Sequence, residues 1–65
     1  MIGEIIMRER RKMHLTQREL AEKVGVSRCT INKIENNNIS EMKAKTAVKI
    51  SDVLNIPVGL FLSDK

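Results

Sequence analysis

"TQRELAEKVGVSRCTINKIEN", residues 16–36, holds two short amphipathic stretches that meet at a single glycine. Thr16 and Glu19 have the spacing of a capping box, in which each side chain satisfies a free amide at a helix start. Leu20, Ala21 and Val24 form the apolar stripe of that helix. Gly25 ends it, because glycine accepts the left-handed backbone common at helix stops. Ser27 is a good N-cap for the next helix, and Val26 before it is positioned to staple onto Ile31. The turn between the two helices is therefore about three residues long. On a wheel of about 100° per residue, Ile31 and Ile34 mark the inner side of the second helix. Cys29, Asn32, Lys33 and Asn36 fall opposite, with Arg28 at the flank. That outward face offers a guanidinium, an ammonium, two amides and a small thiol, and no carboxylate. It suits a partner rich in acceptors and negative charge, and a helix of this kind fits the DNA major groove.

The rest of the chain also reads as helix. Residues 4–13 carry Ile5, Ile6 and Met13 among charged neighbours, a helical rather than alternating pattern. His14 reads as a turn residue. The run Asn36, Asn37, Asn38 ends the third helix, since asparagine readily substitutes for glycine at a left-handed stop. Ser40 is expected to cap a fourth helix with apolar positions Ala47, Val48, Ile50, Ser51 and Leu54. Pro57 is expected to open a short fifth helix over 57–62. There Val58, Phe61 and Leu62 share one side, while Leu60 projects outward next to Gly59.

Composition sets the bounds. A chain of 65 residues is one domain at most and buries too little surface to be comfortably stable alone, so self-association is the expected reinforcement. One cysteine and one histidine exclude an internal disulfide and a Cys/His metal quartet. No apolar block has the form of a signal peptide or a membrane span, so a soluble cytoplasmic protein is expected. Lys and Arg outnumber Asp and Glu by 12 to 8, for a net charge of +4. The balance favours an anionic partner, with an ordinary solvated basic surface as the alternative. No paired carboxylates or nucleophile constellation point to an enzyme, and nothing implies a cofactor or a small-molecule ligand. The methionines read as filler or surface.

The segments "LTQRELAEKVGVS", "TINKIEN" and "VKISDVLNIP" together resemble the helix-turn-helix domain of the phage Cro and CI repressors and the small bacterial regulators built on it. The matching positions include Gln17, Leu20, Ala21, Gly25 and Val26. The resemblance implies an all-α, lambda-repressor-like fold: a compact five-helix bundle over residues 1–65, its helix-turn-helix formed by helices 2 and 3. It also implies sequence-specific binding of double-stranded DNA, with an ion pair between Arg10 and Glu35. The sequence departs from the pattern at Asn37, where the family often has glycine, and lacks the proline common before helix 4. Glu9 stands where an apolar residue is usual.

These positions define expected roles. Arg28 suits guanine O6 and N7, and Asn32 suits adenine; Cys29 fits the groove as a small residue, and Lys33 reaches base or phosphate. Gln17, at a helix start, suits a backbone phosphate. Ser27, Asn36 and Lys43 are further phosphate candidates, as is Lys45. Arg8, Arg11 and Lys12 read as solvated or long-range attractors. A thiol at a helix start beside Arg28 is the alternative, redox-sensing reading of Cys29. The leading functional reading is an operator-occluding repressor that dimerises through Leu60 and Gly59 to read an inverted repeat. The alternative is an antitoxin-like module that neutralises a partner protein. Such a module commonly wraps its partner with a disordered extension, and here only residues 63–65 follow the fifth helix.

Overall fold

A computed structural model describes residues 2–38, 42–57 and 59. Among them are four helices and no strand: α1 Ile2–Lys12, α2 Gln17–Val24, α3 Arg28–Glu35 and α4 Ala44–Leu54. The all-α expectation holds, and four of the five expected helices lie among the described residues. Most of the expected fifth helix, with Val58, Leu60, Phe61 and Leu62, lies outside the described residues.

The local signals act as expected around the central turn. Thr16 Oγ1 accepts from the Glu19 amide at 3.0 Å, and Glu19 Oε1 accepts from the Thr16 amide at 2.8 Å, so the capping box is closed. Gly25 takes the left-handed conformation with φ 89°, and the Val26 amide turns back to the Ala21 carbonyl at 3.0 Å. Ser27 caps α3 through its hydroxyl, which accepts from the Thr30 amide at 3.1 Å. The other three helices stop the same way without glycine: His14, Asn37 and Asn55 have φ of 59°, 66° and 58°. At His14 and Asn37 the ends are Schellman motifs. Leu15 and Asn38 donate back to the carbonyls of Arg10 and Lys33 at 3.2 and 2.8 Å.

The core gathers one stripe from each helix. Ile2 and Ile6 of α1, Leu20, Ala21 and Val24 of α2, Ile31 and Ile34 of α3, and Ile50 and Leu54 of α4 are buried together with Ile56. Leu15, Val26 and Met42 pack against its edge. Losing one of the fully buried isoleucines to alanine costs about 2–5 kcal/mol in such a setting. The core therefore clamps α2 and α3 to each other and to both outer helices.

Three expectations are corrected. Helix α1 begins at Ile2 rather than near residue 4, because Ile2 is core and Gly3 is buried, whereas Met13 is 46% exposed. Helix α4 begins at Ala44, with Lys43 at its N-cap and no side-chain cap bond. The expected capping residue, Ser40, lies outside the described residues. Met42, just before the cap, packs against the core. Val48 is 49% exposed, so the inner stripe of α4 is narrower than its apolar residues suggested. Ser51 does lie inside as a small residue, its hydroxyl satisfied by the Val48 carbonyl at 2.7 Å.

The start of α1 rests on the end of α3. A Cβ added at Gly3 would come within 2.5 Å of the Ile34 carbonyl oxygen and 2.7 Å of that of Glu35. The Gly3 amide, an unpaired donor of the first helical turn, is taken by Asn37 Oδ1 at 3.0 Å. The departure from glycine at Asn37 thus has a use that glycine could not fill. Glu9, the other departure, forms a half-solvated edge: its Oε2 meets Arg8 Nε at 3.6 Å and Lys12 Nζ at 3.4 Å.

Candidate nucleic-acid interface

Because Ile31 and Ile34 point inward, with Glu35 buried beside them, α3 turns its opposite side to solvent, and Arg28, Cys29, Asn32 and Lys33 are all exposed. These four line one depression of about 300 Å3. The four residues expected to meet bases therefore form a single concave surface, with no acidic residue in its lining. Cys29 is a free thiol on that surface.

Beneath it lies a buried polar anchor. Arg10 and Glu35 are 8% and 5% exposed. Arg10 Nε donates to Glu35 Oε2 at 2.7 Å and Nη2 to Oε1 at 3.2 Å, the two-pronged geometry that suits a guanidinium and a carboxylate. Arg10 Nη1 donates to the Leu15 carbonyl at 2.7 Å. The expected ion pair is thus present, and it ties α1, the turn before α2 and the end of α3 together. No buried side-chain nitrogen or oxygen among the described residues lacks a partner.

The expected phosphate-facing residues divide. Gln17, the first residue of α2, is half-buried. Its Nε2 donates to Glu35 Oε1 at 3.1 Å, and its Oε1 accepts from Asn32 Nδ2 at 3.4 Å. Asn36 is exposed, but its Nδ2 donates to the Asn32 carbonyl at 2.9 Å and to Asn32 Oδ1 at 3.1 Å. Ser27 serves the helix cap, and its hydroxyl also lies 3.0 Å from that of Thr30. Lys43 and Lys45 are exposed at the start of α4, where the positive end of the helix dipole does not favour a cation. Gly59 is exposed with open space around it, and Leu60 lies outside the described residues. The links from Gln17 to Glu35 and Asn32 depend on the distance between helices, and no sequence signal carries them.

The profile of the helix-turn-helix family matches residues 6–61. The chain belongs to that family, as a Cro/CI-type regulator of the XRE class that binds double-stranded DNA through sequence-specific contacts. The family's fold is a DNA-binding one, typically without enzymatic activity. No curated protein and no solved structure matches the chain. No helix among the described residues is long and apolar enough to cross a membrane.

Proposed function

We propose that the protein is a cytoplasmic repressor that occludes its operator, binding as a homodimer with α3 of each subunit in the major groove of an inverted repeat. The observation that carries this reading is the concave, carboxylate-free surface lined by Arg28, Cys29, Asn32 and Lys33. Arg28 meets guanine, Asn32 adenine, and Lys33 a base or the adjoining phosphate; Cys29 fits close against the groove floor. Gln17 keeps one amide hydrogen for a phosphate, and Ser27 and Lys43 flank the helix for the same use; Asn36 joins them by releasing the amide hydrogen that it gives to the Asn32 carbonyl. A basic surface centred on a carboxylate-free recognition helix accords with repression by occupancy.

The reading is tested by selecting bound duplexes from a random pool and titrating the selected site across salt. With about three or four phosphate contacts per subunit, log K should fall against log salt with a slope of roughly −5 to −7. Arg28→Ala should cost about 1–3 kcal/mol on that site and relax one base pair. A flat salt response, or equal affinity for scrambled DNA, would overturn the reading.

The dimer rests on Leu60 and Gly59, with the open space at Gly59 allowing a second backbone to come near. Two recognition helices would then lie about 34 Å apart, one turn of DNA. Leu60→Asp should give monomers by sedimentation that remain helical and bind the full site far more weakly. Unchanged sedimentation and binding would move the interface elsewhere, with the outward side of α4 next in line.

A further inference from the structure

The outward residue Asn32 is held by two side-chain amides rather than left to solvent. Gln17 Oε1 accepts from its Nδ2 at 3.4 Å, and Asn36 Nδ2 donates to its Oδ1 at 3.1 Å. Which end of Gln17 faces Asn32 is itself decided from below. A carboxylate only accepts, so the contact of Gln17 with Glu35 Oε1 at 3.1 Å must be made by Nε2. That leaves Oε1 toward Asn32. Glu35 in turn is fixed by Arg10, at 2.7 and 3.2 Å. A run of four side chains therefore leads from the buried ion pair to the surface, and each donor and acceptor in it sets the next.

We infer that Gln17, oriented by Glu35, is a positioning residue that sets the base preference of Asn32 by occupying one of its two amide hydrogens. This rests on the base-reading role of Asn32 proposed above. A primary amide has two N–H donors and an oxygen with two acceptor sites. Gln17 takes one donor and Asn36 fills one acceptor site. One donor and one acceptor remain, which is the complement of adenine N7 and N6. Guanine shows two acceptors, N7 and O6, on the same edge. An Asn32 with a single spare hydrogen cannot serve both. Released from Gln17, its amide has two hydrogens to give, and guanine becomes an acceptable partner. Gln17 thus acts on specificity without touching a base, in addition to any contact with phosphate.

The test uses the full chain and the selected operator, with each of the four base pairs placed in turn at the position that Asn32→Ala relaxes. Gln17→Ala should lower the preference for adenine over guanine there by about tenfold, leave the preference at the position read by Arg28 unchanged, and add nothing to that loss in the Asn32→Ala background. Asn36→Ala, at an exposed helix end, should also weaken the adenine preference. In the free protein, Gln17→Ala should speed exchange of the Asn32 side-chain amide protons seen by NMR, a readout independent of DNA. Equal weakening on all four duplexes would overturn the inference and leave Gln17 a phosphate contact only. Unchanged Asn32 amide exchange would overturn it as well. If Asn32→Ala relaxes no position while Arg28→Ala still relaxes its own, the inference fails and specific binding by α3 stands.

Discussion

Replacing Glu35 with alanine is expected to remove about 3–5 kcal/mol of stability, the usual loss when one member of a buried ion pair is taken away. Arg10 would remain in the core, 8% exposed, with only the Leu15 carbonyl to hold it. Gln17 Nε2 would lose its acceptor at the same time. A domain of 65 residues has a total stability of roughly 3–10 kcal/mol, so the variant loses about a third of it at the upper end and all of it at the lower. Circular dichroism should show a melting midpoint lowered by tens of degrees, at about 4–8 °C for each kcal/mol. The cost is that of an uncompensated charge rather than the net worth of the pair. Arg10→Met combined with Glu35→Leu should therefore recover much of the loss. A midpoint for Glu35→Ala within about 3 °C of the parent would refute this account of the anchor.

Gly3→Ala is expected to destabilise the protein by about 1–3 kcal/mol, the range for forcing extra atoms into a close-packed site. On an exposed helix the same change is favourable by about 1 kcal/mol, because alanine is the better helix former. Here the sign reverses. The new methyl would meet the carbonyl oxygens of Ile34 and Glu35 at 2.5 and 2.7 Å and Asn37 Oδ1 at 2.6 Å. Two of these are backbone atoms and cannot swing aside, so α1 must lift from the end of α3. The Asn37 bond to the Gly3 amide goes with it. Thermal melts of the parent and variant decide the matter, and a raised midpoint would mean that the start of α1 is not held as described.

Helix ends written in neighbouring residues are legible in sequence, and those set by contacts between distant helices are not. Both helices of the central motif were legible because their starts and stops are written locally: Thr16 with Glu19, then Gly25, then Ser27. The outward face of α3 followed from the period of Ile31 and Ile34 alone. The start of α1 was not legible, since the burial of Ile2 and Gly3 depends on the end of α3, far along the chain. The start of α4 is hidden for a different reason: Lys43 at the N-cap carries no capping group, whereas Ser40 upstream does. At the site, the ion pair of Arg10 and Glu35 is implied by the family resemblance and by no spacing within one helix. The hold of Gln17 on Asn32 needs two helices already in contact, and spacing within either helix cannot supply it.

The junction between Gly3 and Asn37 also bears on the order in which the molecule assembles. It joins residues 34 apart in the chain, and the pair Arg10 and Glu35 spans 25. The capping box, the Gly25 stop and the Ser27 cap, by contrast, each close within a few residues. Short closures carry a small entropy cost and long ones a larger one, so α2 and α3 can find their mutual angle while α1 is still unattached. Docking of α1 is expected to follow and to lock that recognition unit. Contacts formed after the rate-limiting step govern how fast a protein comes apart, not how fast it forms. On this order the α1 to α3 seam acts as the latch that sets the lifetime of the folded protein.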